Sequence, residues 1–363
     1  MKISGLHYRG IWRTADGIVR VIDQSRLPFE FATLDLHTAE DALTAIATMV
    51  VRGAPLIGAT AAYGIALAMR ADTGDANLEA ASRLLGASRP TAIDLTWALG
   101  RMRAALAAVP PAHRTDTAFR VAAEISDAYV EQCRAIGGHG LALIRALAET
   151  RPRVNILTHC NAGWLACVDW GTALAPIYRA HDAGIAVHVW VDETRPRNQG
   201  ASLTAFELGA HGVAHTVIAD NLGGHLMQRG QVDMVLVGSD RVTAGGDVCN
   251  KVGTYLKALA AHDNGIPFYA AMPLSTVDWS TASGAEVPIE ERSPTELTHI
   301  RGRTAAGALE TVRVVADGSP ALNLAFDVTP ARLVTALITE HGPCAATRAA
   351  LQQRRGTRGA DHE

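Results

Sequence analysis

Several short stretches of the chain join residue types that do chemistry to the punctuation that ends a strand or opens a helix. The first is VNILTHCNAG, Val154 to Gly163, where an apolar run stops at a polar step, a cysteine and a glycine. In an α/β protein this pattern marks the carboxyl end of a buried strand, the usual ligand site of open sheets. Cys160 is therefore the first candidate, although a cysteine there also serves as a small buried hydrophobe. Two further apolar runs end in the same way. VHVWV leads into the charged loop ETRPRNQG, Glu193 to Gly200, and MVLV leads into Gly238-Ser239-Asp240-Arg241. A carboxylate delivered at a strand end is either an acid or a helix cap and loop ligand.

Three more stretches point to an anion. Asp247-Val248-Cys249-Asn250-Lys251 precedes a helical pattern and would set a lysine and free backbone amides around a phosphate. The bland alternative is a capping Asp247 with a solvated Lys251. Arg52-Gly53-Ala54-Pro55 and Arg89-Pro90-Thr91 share a layout, an arginine just ahead of a proline suited to the first turn of a helix. Each places a guanidinium beside unpaired amides. Two such coincidences together with Lys251 argue for a phosphorylated substrate.

The elements that must position these residues fall into two textures. Residues 1 to about 36 alternate apolar and polar positions around turn residues, which predicts a few short strands in a small lobe. From 39 to 150, alanine- and leucine-rich runs at helical spacing, broken at Gly53, Pro55, Pro90 and Pro110-Pro111, predict a helical region. From 151 to 350, strand and helix patterns alternate. Expected strands are Val154–Thr158, Ala186–Val191, Ala214–Ile218, Met234–Val237 and Pro267–Ala271, with helices at Thr172–Ala183 and Lys251–His262. The expectation is an α/β chain whose C-terminal side is a Rossmann-like, mostly parallel sheet domain, preceded by the small β lobe and helical domain. Residues 278–318 read as loops over the sheet edge, Pro330–Glu340 as a last helix, and 351–363 as a tail.

The 363 residues can bury a large core, and nearly half of them, 48%, are apolar. A formal charge of −3 leaves no electrostatic footprint for nucleic acid or an anionic membrane. The five cysteines are scattered, with neither a CxxC pair nor Cys/His metal spacing, so neither structural zinc nor a disulfide framework is expected. MKISGLHYRG lacks the apolar core of a leader, and Ala42–Val51 is too short to span a bilayer. A cytoplasmic location is the expectation. Neither GxGxxG after a strand nor GxxxxGK[ST] occurs, which removes the ordinary support for a nucleotide site.

Read as a set, the motifs resemble those of the methylthioribose-1-phosphate isomerases, a branch of the superfamily that includes the regulatory subunits of translation initiation factor 2B. The resemblance runs from Ile22-Asp23-Gln24 through MVVRGAP at 49–55, RPTA at 89–92, THCNAG at 158–163, and ETRP with QGA at 193–201. It continues through VGSDR at 237–241, GDVCNKVGTY at 246–255, PIEERSPTE at 288–296 and AFDVTPA at 325–331. It implies an aldose–ketose isomerase of methionine salvage. Such an enzyme converts S-methyl-5-thioribose 1-phosphate to S-methyl-5-thioribulose 1-phosphate without metal or organic cofactor, and works as a homodimer. Carried over position by position, the resemblance implies Cys160 and Asp240 as catalytic residues. It implies Arg52, Gly53, Ala54, Arg89, Gln199, Asn250 and Lys251 as substrate-binding ones. Four positions depart from the family pattern: Asp94, Trp164, Gly245 and Leu324. Asp94 and Trp164 are expected near the pocket, which leaves the sugar's 5-substituent open.

The anomeric oxygen of such a substrate carries phosphate, so the ring must open by protonation of the ring oxygen. A strand-end acid with a pKa raised by desolvation suits this step, and Asp240 is the expected donor. Hydrogen then moves from C2 to C1, either as a proton taken by a Cys160 thiolate at a helix start or as a hydride crossing a dry site. Alternative readings are isomerisation of 5-deoxyribose 1-phosphate or ribose 1,5-bisphosphate, and a non-catalytic regulatory subunit of the initiation-factor branch, which tends to lose the Cys/Asp pair that this chain keeps.

Overall fold

The computed structural model describes residues 1–3, 5–89 and 92–356. Pro90 and Thr91, named above beside Arg89, and residues 357–363 of the expected tail lie outside the described residues.

The amino-terminal strands include Ile11–Arg13, Val19–Ile22 and Thr33–Leu36, an antiparallel three-stranded sheet. Thr38 and Asp41 then form a reciprocal capping box that starts helix Ala39–Ala47. The next helix, Ala54–Ala71, is apolar on all sides, so it can be stable only when surrounded. It is long and apolar enough to cross a bilayer, yet 83% of it is buried inside the protein. Helices Ala39–Ala47, Asp75–Gly86, Ile93–Ala107 and Arg114–Ala148 enclose it, and their apolar side chains make one continuous core with Ile11, Val19, Val21 and Leu36. The 35-residue helix Arg114–Ala148 continues past this core, and Ile136 and Ile144 pack into the next one.

That second core lies beneath a seven-stranded sheet. Its order is Gly342–Cys344, Ala336–Thr339, Phe268–Ala271, Met234–Val237, Val154–Thr158, Val187–Asp192, His215–Ile218. All pairings are parallel except that of the edge strand Gly342–Cys344. Continuous apolar runs such as MVLV are what a strand covered on both faces requires. From the central strand Val154–Thr158 the chain steps outward to Val187–Asp192 and His215–Ile218. It then returns to Met234–Val237 on the other side of the first strand. The order therefore reverses between Val154–Thr158 and Met234–Val237, and a crevice opens at their carboxyl ends. A four-stranded sheet, Val277–Asp278, Arg241–Thr243, Val248–Lys251, Phe326–Thr329, stands over that crevice.

The structure corrects several expectations. Pro330–Glu340 is a short 3-10 turn, Ala331–Leu333, followed by strand Ala336–Thr339, because the apolar run there pairs with Phe268–Ala271. Residues 278–318 include the hairpin His299–Arg303 and Leu309–Arg313 as well as loops. The expected tail from 351 begins inside helix Arg348–Gly356, where Leu351 is buried.

Candidate active site

Cys160 and Asp240 follow the two strands that flank the reversal point. Leu157 pairs with Val235, and both chains then turn away from the sheet. Gly238 lets the two strand ends approach: a Cβ there would come within 2.5 Å of Ala162 Cβ.

Cys160 is held in a conformation that L-residues seldom adopt, φ +65°. Two threonines hold it there. Its N–H donates to Thr194 Oγ1 at 2.8 Å, and its carbonyl accepts from Thr204 Oγ1 at 2.7 Å. Thr194 is itself at φ +67° and passes its own hydroxyl hydrogen to the Asp192 carbonyl. Thr204 ends a single π-helical turn, Gly200–Thr204, which tips its side chain toward the cysteine loop. Strained backbone of this kind costs on the order of 1–3 kcal/mol per residue and persists only where neighbours fix it. The result is a cysteine 9% exposed on the wall of the crevice. Cys160 is not at a helix start: the 3-10 turn Trp164–Ala166 and a loop separate it from helix Leu174–Asp182.

Asp240 is half-buried, more open than expected, with its N–H on the Cys249 carbonyl at 3.1 Å. Its carboxylate accepts no hydrogen bond from any described residue, so it faces the pocket free.

All nine residues singled out from sequence line this one pocket: Cys160, Asp240, Arg52, Gly53, Ala54, Arg89, Gln199, Asn250 and Lys251. The helical region supplies the first arginine. Gly53, at φ +93°, has the Ala166 carbonyl 2.4 Å from where a Cβ would stand, so only glycine brings the start of helix Ala54–Ala71 this close to the cysteine loop. Arg52 reaches across and donates twice to Asn161, at 2.6 and 2.8 Å. Gln199 is buried with its Oε1 unpaired, an acceptor left for a ligand. Asn250 donates to Thr254 Oγ1 at 3.0 Å.

Lys251 does not act with a helix start, contrary to expectation. It ends strand Val248–Lys251, and the next helix opens at Thr254, with the Gly253 and Tyr255 amides already taken by Asp327 at 2.7 and 3.2 Å. Asp247 caps nothing there; its carboxylate accepts from the Gly284 and Ala331 amides. The Lys251 ammonium donates to the Ala325 carbonyl at 2.6 Å and lies 4.7 Å from the centre of the Phe326 ring. Burial pushes its pKa down, as do the charges of Arg292 and Arg52, while Cys160 and Asp240 oppose the shift.

Two residues that sequence reasoning did not assign complete the charge pattern. Arg292 lies over the other reach of the Phe326 ring, 5.3 Å from its centre, and pairs with Glu290 at 2.9 and 3.2 Å. Glu290 also approaches Arg89 to 3.7 Å. Burial works to raise the Glu290 pKa, but the Arg292 hydrogen bond and the charges of Arg292, Arg89 and Lys251 bring it below the ordinary value. Burial and the Arg292 charge lower that of Arg89, whose Nε has no partner among the described residues. Five cations, Arg52, Arg89, Arg241, Lys251 and Arg292, thus line one cavity with Asp240, and two carboxylates beside it pair with them, Glu290 with Arg292 and Asp278 with Arg241. An incoming dianion would restore the balance. Arg292 and Glu290 lie in the PIEERSPTE stretch, and that motif was the available signal.

Asp94 and Trp164 are both buried and neither lines the pocket itself, although Ala92, Ala162 and Ala166 close to them in the chain do. Leu324 is exposed, on a bridge to Glu291.

Residues 50–346 match the initiation factor 2 subunit family. A methylthioribose-1-phosphate isomerase of Methylorubrum populi is 65% identical over 350 residues, 96% of each chain. The crystal structure of 5-methylthioribose 1-phosphate isomerase from Pyrococcus horikoshii superposes with a TM-score of 0.84 at 37% identity, covering 98% of this chain and 100% of that one. The structure of a translation initiation factor eIF-2B delta subunit from A. fulgidus gives 0.78 at 37% identity, over 93% and 96%. Matches of that depth along nearly the whole length make the chain a member of the initiation factor 2 subunit family and, within it, of the methylthioribose-1-phosphate isomerases.

Proposed function

We propose that the chain isomerises S-methyl-5-thioribose 1-phosphate to S-methyl-5-thioribulose 1-phosphate, with Cys160 and Asp240 as the catalytic pair. The observation that carries the reading is the pocket at the strand-order reversal, where the Cys160 thiol and the Asp240 carboxyl group share one cavity with five cations. In this reading Arg52, Arg89 and Lys251 bind the phosphate, and Gly53, Ala54, Gln199 and Asn250 shape and orient the sugar. Arg292 joins the phosphate group of residues.

The Asp240 carboxyl gives its proton to the ring oxygen as the C1–O bond breaks, and charge develops at C1. Hydrogen leaves C2 for C1, the C2 hydroxyl becomes the ketone, and the proton balance closes when Asp240 recovers a proton. Cys160 borders C2. As a base it takes the C2 proton and returns it to C1; as a neutral wall it stabilises a hydride crossing. Turnover in heavy water separates the two, since deuterium at C1 belongs to the proton route alone. The reading extends to a homodimer in the cytosol, tested by sedimentation and fractionation. The five free thiols suit a reducing compartment.

The test of the reading is direct. The purified protein is expected to form the ketose phosphate from S-methyl-5-thioribose 1-phosphate, and Asp240→Asn is expected to be folded and nearly inactive. A wild type without turnover, or an active Asp240→Asn variant, would refute the assignment.

A further inference from the structure

His159 stands next to Cys160 but takes no part in the chemistry above, yet its ring is buried and bonded at both nitrogens. Nδ1 lies 2.8 Å from Asp192 Oδ2, and Nε2 lies 2.8 Å from the Val252 carbonyl oxygen. A carbonyl oxygen only accepts, so Nε2 must carry a hydrogen. The remaining proton lies between Nδ1 and the Asp192 carboxyl group.

The two partners belong to opposite sides of the crevice. Asp192 ends strand Val187–Asp192, and its backbone carbonyl accepts the Thr194 hydroxyl that receives the Cys160 N–H. Val252 directly follows Lys251 in the four-stranded sheet. Strands Val154–Thr158 and Val248–Lys251 lie in different sheets and share no ladder. The imidazole therefore bridges the sheet bearing the thiol and the strand end bearing the ammonium.

We propose that His159 is a positioning residue for the isomerisation, holding the strand end of Asn250 and Lys251 in register with the turn that carries Cys160. The proposal rests on the assignment of those three residues to the site. The ring is enclosed by a complete set of charges. Lys257 Nζ is 3.2 Å from Asp192 Oδ2 and also donates to the Asp220 backbone carbonyl. The Asp220 carboxylate accepts the Thr194 and Arg195 amides, and Asp327 accepts those of Gly253 and Tyr255. His159, Asp192 and Asp220 offer ligand atoms within 4.8 Å of one another, but the Lys257 ammonium already supplies the cation there. Asn250 and Lys251 are paired along one edge with strand Phe326–Thr329, and the His159 bond to Val252 ties the end of their strand to the sheet that carries Cys160.

Two near-isosteric substitutions separate the arms. Glutamine at 159 reaches the Nε2 position and can still donate to Val252, whereas asparagine reaches only the Nδ1 position and keeps Asp192 alone. His159→Gln is expected to hold kcat/KM within roughly threefold of wild type, while His159→Asn raises KM roughly tenfold with a smaller change in kcat, the signature of lost substrate positioning. Equal kinetics in the two variants, whether both impaired or both normal, would overturn the proposal. Long-range proton–nitrogen spectra of the histidine-labelled wild type provide a check independent of how the variants fold. Nε2 is expected to be protonated, and an unprotonated Nε2 would overturn the tie to Val252. Failure of the isomerase assignment shows separately, as a wild type with no turnover.

Discussion

Arg52 holds Asn161 at two points, Nη1 on the side-chain oxygen at 2.6 Å and Nη2 on the backbone carbonyl at 2.8 Å. Asn161 in turn donates to Glu207 at 2.8 Å, and that buried carboxylate also accepts the Trp164 and Leu165 amides and the Tyr178 hydroxyl. The helical region is thereby fastened to the residue after Cys160. A lysine keeps the charge but has no planar fork to make both contacts. Arg52→Lys is expected to lower kcat/KM by roughly ten- to a hundredfold, the loss of about 1.5–3 kcal/mol of charge-assisted bonding. Steady-state kinetics with a circular dichroism control measure it, and a wild-type value would show that charge alone suffices at this position.

Gly238 and Ala162 set the spacing of the strand ends that carry Cys160 and Asp240, since an added Cβ at 238 would stand 2.5 Å from the Ala162 methyl carbon. Neither atom is the end of a flexible side chain, so the backbone must move. Gly238→Ala is expected to cost about 1–3 kcal/mol of stability, the usual range for overpacking, and to lower kcat more than KM by separating Cys160 from Asp240. Urea unfolding and kinetics on the same preparation check both parts. A stable, fully active variant would mean that the spacing of these strand ends is not limiting.

The parallel strands and the strand-end residues were legible because each apolar run is short, bounded by turn residues and followed by a polar step. Val154–Thr158 into Cys160 and Met234–Val237 into Asp240 are of this kind. The stretch 330–340 was misread because a run such as Leu333, Val334, Leu337, Ile338 satisfies helical and buried-strand spacing alike, and only pairing with Phe268–Ala271 decides it. Arg292 went unassigned because irregular chain carries no periodicity that fixes where a side chain points. Its place over Phe326 depends on a strand more than thirty residues later. Asp247 looked like a helix cap, but its partners Gly284 and Ala331 are distant in sequence. Local pattern located the ends of elements; the partners of polar groups were set by long-range packing.

Among the described residues the Lys251 ammonium has one hydrogen bond, to the Ala325 carbonyl, and its lowered pKa follows first from burial. A buried ammonium short of partners is stabilised when an anion arrives, which is the binding contribution assigned to it. Lys251→Ala is expected to reduce kcat/KM by roughly ten- to a hundredfold, for a contact worth about 1.5–3 kcal/mol. The protein should remain folded, because removing a desolvated charge offsets the lost contact with Phe326. Calorimetry with inorganic phosphate reads the same contact without turnover. Unchanged phosphate affinity together with unchanged kinetics would remove Lys251 from the anion site.

Asp94 is buried between the helical region and the loop at the pocket's far side, accepting from Tyr129 and Ser275 at 3.1 and 3.0 Å on one oxygen while the other has no partner. Burial raises its pKa to about 6 from an ordinary 3.8; the two hydroxyl donors oppose the rise, and the charges of Glu340 and Asp240 add to it. The folded state therefore binds this proton more tightly than the unfolded chain does. The contribution to stability is full below about pH 4 and is lost as pH rises through about 6, leaving a cost on the order of 3 kcal/mol at neutral pH. Asparagine keeps the shape and an acceptor oxygen but never ionises. Asp94→Asn is accordingly expected to be more stable than wild type by about 2–3 kcal/mol at pH 7.5, with the difference shrinking toward zero near pH 4. Urea unfolding at the two pH values measures it. A gap that stays constant between them would mean that Asp94 gives up its proton over the same pH range in the folded and the unfolded chain, and burial would then not raise its pKa.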